Sequence, residues 1–336
     1  MINNFLVSGI VYTISAASET WLINWLKIDY FIELPIFFGL LQNSGWPISL
    51  FIYILSNDRK SRNITSIMYR NYLILGILAS FVSITKVSGL TTLPAVLYTI
   101  ASNTEIVFET VMTKVILNRS ISILQAIAVS LVCIGVIISV YNPVTKTWGD
   151  SVSKRDLIIG LILTISSRFA SSLNSILADK FLKIDTKSYI GCLECAIVNS
   201  IIPFFLLPSI LIFIPEYKTW NEDLIGFNKK GTVIVTLLCF AIAITKNADR
   251  LSKFFIISKS STMYFAAIDA NMKVITGIGS FFLFDEIYYW PQILGFMLII
   301  IALVIMYYDR SLNSFHSQKY IQIPNEDDEK DFIAIK

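Results

Sequence analysis

The chain has 336 residues, of which 55% are hydrophobic and only 15% are charged, with a formal net charge of +3. A soluble domain carries about 25% charged residues, so this composition excludes a single water-soluble globule. The chain lacks the dense basic stripe of a nucleic-acid-binding protein, and four Cys in this length exclude a disulfide scaffold. The composition therefore predicts a multi-spanning membrane protein.

About ten apolar stretches are long enough to cross a bilayer, because about 20 helical residues rise through about 30 Å. They are approximately residues 5–26, 30–55, 69–88, 92–117, 121–141, 156–178, 189–214, 232–248, 262–283 and 289–308. The segments between them are too short for a soluble catalytic domain. The polar, acidic tail is predicted to be disordered.

The loop charges predict the orientation in the membrane. If the N-terminus is cytosolic, the loops on the cytosolic side and the tail together carry about twice as many Lys and Arg residues as the loops on the opposite side. We therefore expect both termini to face the cytosol.

An internal repeat is indicated when the chain is shifted by 167 residues, which places Gln125 on Gln292 between similar apolar helices. Five spans per half is an odd number, so the halves would be inverted relative to each other. We expect a first five-helix repeat in 1–141, a connecting loop in 142–155, a second repeat in 156–308 and the disordered cytosolic tail in 309–336. Such proteins hold a solute near the midplane and expose it to each side in turn.

Polar side chains follow helical spacing within two of the predicted spans. Those in the fourth span are Tyr98, Ser102, Glu105 and Glu109, with Asn103 beside them, and those in the ninth are Asp269 and Lys273. Asn271, also in the ninth span, is included as a candidate for substrate binding. Ionisable groups at membrane depth usually face a cavity or a partner. Two alternatives follow for the glutamates: stacked carboxylates suited to protons or cationic groups, or ion pairs with Arg168 or Lys273. Asp269 and Lys273, four residues apart, can pair with each other.

Other polar residues extend the candidate site. Arg168 and Asn174 lie in the sixth span, where Arg168 would bind a substrate anion or pair with Glu105. Candidates for gating or coupling are Glu19, Glu194 and Glu33, the last in a second span whose prolines predict a kink.

Several other charged residues are expected to reach solvent. Lys86 lies near a span end and is expected to snorkel to the membrane surface. A solvated cluster is expected where the eighth span ends, formed by Lys246, Asp249, Arg250 and Lys253.

The sequence predicts neither an enzyme nor a cofactor site. Its single histidine, His316, lies in the tail, so histidine-based catalysis is excluded, and there is no phosphate-binding loop. Cys192 and Cys195 have metal-ligand spacing without further ligands, so we expect packing and no metal. No catalytic residue is therefore assigned.

Several short stretches resemble the chloroquine-resistance-transporter-like family within the drug/metabolite transporter superfamily. They are Gly89-Leu-Thr91, Lys183-Ile-Asp185, Leu207-Pro208, Trp220-Asn-Glu222, Asn228-Lys-Lys-Gly231, Asp249-Arg-Leu251 and Ile256-Ile-Ser-Lys-Ser-Ser-Thr-Met263. The family's cysteine-bearing lumenal loop is missing from this chain. The resemblance implies an all-α integral membrane protein of about ten helices in two inverted five-helix repeats.

The resemblance also implies alternating-access transport of cationic or zwitterionic solutes, such as amino acids, small peptides or basic drugs, coupled to protons. It implies an endomembrane location, in a vacuole or lysosome-like organelle or the Golgi. The expected partners are thus a small solute, protons and the lipid bilayer, without nucleic acid, for a monomer or homodimer.

Two alternatives stay open. A nucleotide-sugar or phosphorylated-metabolite antiporter of the same superfamily would use Arg168, Lys273 and Lys86. A net acidic cavity would favour cationic solutes, and a net basic one nucleotide sugars. The alternative of another class is a membrane scaffold or receptor, in which the charged residues would face lipid or a dry core.

Overall fold

Every regular element in the described part of the chain is an α-helix. The computed structural model describes residues 2–30, 34–56, 66–145, 154–184, 189–210, 232–260, 262–284 and 289–321. The helices are α1 Ile2–Tyr30, α2 Pro35–Asn43, α3 Trp46–Leu55, α4 Ser66–Thr92, α5 Ala95–Ser102, α6 Thr104–Leu117, α7 Ile123–Thr145, α8 Lys154–Ile184, α9 Tyr189–Ile210, α10 Thr232–Lys259, α11 Thr262–Phe284 and α12 Trp290–Ile321.

Seven of the described helices have the length and hydropathy of membrane spans. Their spanning parts are Leu6–Asp29, Met68–Thr92, Ile123–Tyr141, Lys154–Leu182, Tyr189–Ser209, Tyr264–Phe284 and Trp290–Asp309. The protein is thus an all-α integral membrane protein. The other three predicted spans do not meet these criteria. The second and the fourth are each divided into two short helices, and the eighth, α10, carries several charges. The number ten stays a prediction.

The distribution of side chains is inside out compared with a soluble protein. Large apolar residues point outward, and Ile137, Phe205 and Leu237 are each more than 60% exposed. Carboxylates and cations lie inside, as shown by Glu105 and Lys273, which are 2% and 3% exposed. An apolar exterior of this extent is suited to lipid.

The predicted kink in the second span is confirmed as a break between α2 and α3. Pro47 has no backbone N–H to bond to the carbonyl four residues earlier, so the helix is interrupted at Ser44 and Gly45. The carbonyl of Gln42 accepts a hydrogen bond of 3.0 Å from Arg250 of α10. A side chain of another helix thereby satisfies a backbone group at the break, as membrane depth requires.

A second break divides α5 from α6 at Asn103. The Asn103 amide bonds back to the carbonyl of Thr99 at 3.0 Å and so competes with the regular helical ladder. At this break the carbonyl of Ser102 accepts a hydrogen bond of 2.9 Å from Lys273 of α11. A cation thus caps the carbonyl side of each broken helix.

Helices α7 and α12 pack closely along a seam of small residues. A Cβ atom on Gly295 would lie 2.5 Å from the carbonyl oxygen of Gly135 and 1.7 Å from the Ser139 hydroxyl. Small residues at such a seam let two membrane helices approach until their backbones are nearly in contact.

Asp309 of α12 also accepts hydrogen bonds from Ser122 and Gln125, at 2.7 and 2.9 Å. Helix α12 itself continues to Ile321, into the tail segment whose composition predicts disorder.

Substitution of Gly295 by Ala is expected to lower the unfolding midpoint in detergent. The new Cβ atom would collide with a backbone oxygen that cannot rotate away, and overpacking of this kind costs about 1–3 kcal/mol. The matched control is Gly9→Ala, whose Cβ atom would meet only the Ile268 side chain at 3.7 Å. Equal midpoints for the two variants would contradict the close approach of α7 and α12.

Candidate functional site

A polar cavity lies between the helices and encloses about 960 Å³ of space between atoms, part of it open to solvent. Residues from α1, α2, α4, α5, α6, α8, α9, α10 and α11 line it. The divided helices contribute groups next to their breaks, namely Gln42, Ser102 and Glu105. Discontinuous helices are a common source of binding groups in membrane transporters.

Glu105 is the centre of the first ion-pair network. Its Oε2 atom lies 3.0 Å from Arg168 Nη1 and 2.8 Å from Lys273 Nζ. Ser171 donates a hydrogen bond of 2.7 Å to Oε1, and Arg168 donates one of 2.6 Å to the Tyr98 hydroxyl. The predicted pairing of Glu105 with Arg168 or Lys273 is confirmed with both.

The same network continues along α11 to α1. Lys273 also pairs with Asp269, which confirms that prediction. Asp269 accepts a hydrogen bond of 2.5 Å from the hydroxyl of Tyr12. Two carboxylates and two cations are therefore linked in one buried chain that joins α1, α6, α8 and α11.

A second network surrounds Glu19 of α1. Its two oxygens lie 2.9 Å from Lys86 of α4 and 3.0 Å from Lys246 of α10. Lys246 also pairs with Asp249, one turn further along α10. Glu19 is 1% exposed, so both of its charged contacts are formed away from lipid and bulk water.

Two further cations line the cavity without an ion pair to any described carboxylate. Arg250 instead donates hydrogen bonds to the Gln42 carbonyl, the Asn43 side chain and the Ser200 hydroxyl. The ammonium of Lys253 lies 5.0 Å from the centre of the Phe265 ring.

The lining also offers rings and neutral hydrogen-bonding groups. Tyr98 and Phe265 line the cavity with a cation over each ring, since Arg168 lies 5.4 Å from the centre of the Tyr98 ring and Lys253 lies 5.0 Å from that of Phe265. The amide nitrogen of Gln42 and the hydroxyl of Ser102 are buried and have no hydrogen-bond partner among the described residues. Unsatisfied buried groups are costly, and a bound solute would relieve that cost.

The structure brings together eight of the sequence-predicted site residues in this lining: Tyr98, Ser102, Glu105, Arg168, Asn174, Asp269, Lys273 and Glu19. Asn174 bonds to Asn199 at 2.9 Å within it. Glu33 lies outside the described residues.

Four predicted site residues do not line the cavity. Glu109 is fully buried one turn beyond Glu105, and its oxygens have no partner among the described residues. Asn103 bonds back to its own helix. Glu194 accepts hydrogen bonds from Tyr53 and Tyr72, and Asn271 donates one to Tyr307.

Two expectations about solvated charges are wrong. Lys86 does not snorkel, because it pairs with Glu19 inside the protein. The charges of α10 form no solvated cluster, since Lys246, Asp249, Arg250 and Lys253 line the cavity. The reason is that α10 continues to Lys259, well past the expected span end. The four charged residues therefore lie within the helix, where they face the other helices around the cavity. The charges recur at positions 246, 249, 250 and 253, which is the helical signal that could have identified this face.

The lining is net basic. Its six cations are Lys86, Arg168, Lys246, Arg250, Lys253 and Lys273, and its four carboxylates are Glu19, Glu105, Asp249 and Asp269. This balance does not support the expectation of cationic solutes.

The described residues hold no cluster of side chains suited to a metal ion. Cys192 and Cys195 are buried in the apolar core, so the expected packing role is confirmed.

Substitution of Glu19 by Gln is expected to destabilise the protein more than substitution of Lys86 by Met. The first change removes the only described carboxylate paired with Lys86, and an uncompensated buried charge costs about 3–5 kcal/mol. The second leaves Glu19 paired with Lys246. Unfolding midpoints in detergent measure the difference, and the double variant should recover part of the loss. A double variant less stable than Glu19→Gln alone would contradict the pairing.

The fold has a relative among the solved structures. One crystal structure superposes with a TM-score of 0.62 and 10% sequence identity, over 90% of this chain and 96% of the other. At this identity the likeness shows the fold alone. No curated protein matches the sequence.

The sequence also matches a protein family. The match extends over residues 35–315 and is to the family described as purine nucleobase transmembrane transport. It covers most of the chain and every helix that lines the cavity except α1. The narrower resemblance to the chloroquine-resistance-transporter-like family is not confirmed. The chain belongs to the family of purine nucleobase transmembrane transport proteins, which are transporters of small solutes.

Proposed function

We propose that this protein transports purine nucleobases across a membrane by alternating access through the central cavity. The observation that carries the proposal is the family match over residues 35–315, which includes most of the cavity lining. The solute would bind at the groups next to the two helix breaks.

The chemistry of the cavity is suited to a purine. A purine is a flat aromatic ring with hydrogen-bond donors and acceptors along its edge. The rings of Tyr98 and Phe265 belong to the lining, and the cations Arg168 and Lys253 over them leave at most one face of each ring for a flat solute. The Gln42 amide can bond to a donor and an acceptor of one base edge together, as Asn and Gln side chains do with adenine. The hydroxyl of Ser102 offers a second polar contact, and neither this hydroxyl nor the Gln42 amide nitrogen has a hydrogen-bond partner among the described residues.

The ion pairs link the two predicted halves of the chain. Glu105 belongs to the first half, and both of its cationic partners belong to the second. Glu19 in the first half likewise pairs with Lys246 in the second. A carboxylate that contacts two cations can lose one of them during a conformational change and still be paired with the other. A buried ion-pair network between two moving halves must have this property, because an unpaired buried charge is costly.

The inverted repeat and the ten spans belong to the same proposal. Gln125 and Gln292, which the shift of 167 residues superposes, share one contact. Each side chain accepts a hydrogen bond from the backbone N–H three residues earlier, at 3.2 and 2.9 Å. At the start of α7 this bond is part of a complete helix capping box, because Ser122 accepts a bond from the Gln125 N–H in return, whereas α12 has only the glutamine half of the box. Cytosolic termini and an endomembrane location remain predictions that rest on the loop charges and the resemblance.

A second candidate function is transport of a phosphorylated metabolite or nucleotide sugar. The net basic lining favours it, because phosphates need cations. The scaffold alternative has less support, since the charged residues border a cavity and neither face lipid nor form a sealed dry core.

Reconstituted protein is expected to exchange labelled adenine for internal adenine in proteoliposomes. The test panel contains adenine, hypoxanthine, arginine and a nucleotide sugar, with empty liposomes as the control. Exchange of purines above the control supports the proposal. Exchange of arginine or the nucleotide sugar without that of any purine would contradict it.

Substitution of Glu105 by Gln is expected to lower the initial rate of adenine exchange at least about tenfold, since two cavity cations lose their shared carboxylate. The matched control is Asp309→Asn, which changes a buried carboxylate that is hydrogen-bonded outside the cavity. Size-exclusion profiles report whether each variant is folded. Similar rates for folded Glu105→Gln and the wild type would contradict the role of this network.

A further inference from the structure

The cavity has more positive than negative charge, and Lys253 is the lining cation with neither an ion pair nor a side-chain hydrogen bond among the described residues. Four of the six lining cations form ion pairs with the four carboxylates. Arg250 is committed to the oxygens of Gln42, Asn43 and Ser200. For Lys253, the described residues provide a ring contact with Phe265 and no carboxylate within 4.0 Å.

Glu109 does not remove this surplus. It lies outside the cavity lining and within 4.0 Å of no described cation, and it attracts Lys253 only from a greater distance. If Glu109 is counted with the four carboxylates of the lining, six cations still face five carboxylates. The cavity therefore has a surplus of positive charge even when Glu109 is included.

A half-buried ammonium on an aromatic face is weakly compensated, because a cation–π contact is worth much less than an ion pair at the same depth. Lys253 lines the same cavity as the Gln42 amide and the Ser102 hydroxyl. A ring that bears both polar edge atoms and a negative charge matches the chemistry of these three groups in one cavity.

On these grounds we infer that the transporter prefers purines that carry a negative charge, with Lys253 as the counter-ion that selects them. The inference rests on the proposed function and adds the charge of the substrate. Its substrate class is the acidic oxopurines, for which urate, a monoanion at neutral pH, is the probe. Hypoxanthine, which is neutral at that pH, is the reference purine.

The test measures exchange of labelled urate and labelled hypoxanthine in proteoliposomes at neutral pH, together with competition by each unlabelled purine. Wild-type protein is expected to have a lower KM for urate than for hypoxanthine. Lys253→Gln should raise the KM for urate about tenfold more than it raises the KM for hypoxanthine, the effect of losing one ion pair.

Two further variants keep the test specific. Lys253→Arg retains the charge and should retain the preference for urate. Lys259→Gln is the matched control, because Lys259 lies on the same helix beside a phenylalanine ring, is exposed and does not line the cavity. It should leave both KM values unchanged.

The outcomes distinguish failure of the charge preference from failure of the proposed purine transport. Hypoxanthine exchange without urate exchange or competition would overturn the inference and leave purine transport standing. An equal loss for both purines in Lys253→Gln would also overturn it, since Lys253 would not distinguish charge. Exchange of neither purine by the folded wild-type protein would overturn the proposed function and the inference together.

Discussion

A charge inside a membrane protein must be neutralised or hydrated, and this constraint organises the interior of the molecule. An isolated ion in hydrocarbon costs several kcal/mol, whereas a paired one facing a polar cavity costs far less. Glu105 and Glu19 each hold two cations supplied by two other helices. The ion pairs therefore determine which helices surround the cavity, and the apolar faces of the same helices are left for lipid.

The same cations also stabilise irregular backbone. Lys273 donates to the carbonyl at the break in the fourth predicted span, and Arg250 donates to the carbonyl at the break in the second. Backbone without a helical partner is tolerated at membrane depth only where something else bonds to it. Both breaks border the cavity, so the groups that permit an irregular backbone lie next to the proposed solute site.

The fold was predictable where composition and periodicity decide it, and less so where tertiary pairing does. Apolar length predicts the membrane class, and the prolines of the second span predict its kink, because a missing N–H acts locally. The pairing of Arg168 with Glu105 follows from the need to compensate a central charge. The burial of Lys86 is not predictable from the sequence, since its partner, Glu19, lies 67 residues away and no local rule identifies it. The position of the α10 charges depends on where that helix ends, and the position of Glu109 depends on helix rotation, which residue spacing alone does not determine.

The seam between α7 and α12 has a mechanical consequence. Helix α7 belongs to the first predicted half and α12 to the second, and they meet with backbone atoms in near contact at Gly135 and Gly295. Neither helix lines the cavity. The halves are thus joined in two different ways: by rigid packing at this edge, and by exchangeable charges at the centre. If one half moves against the other, the seam is its natural pivot, so a small rotation there becomes a larger displacement at the ion pairs.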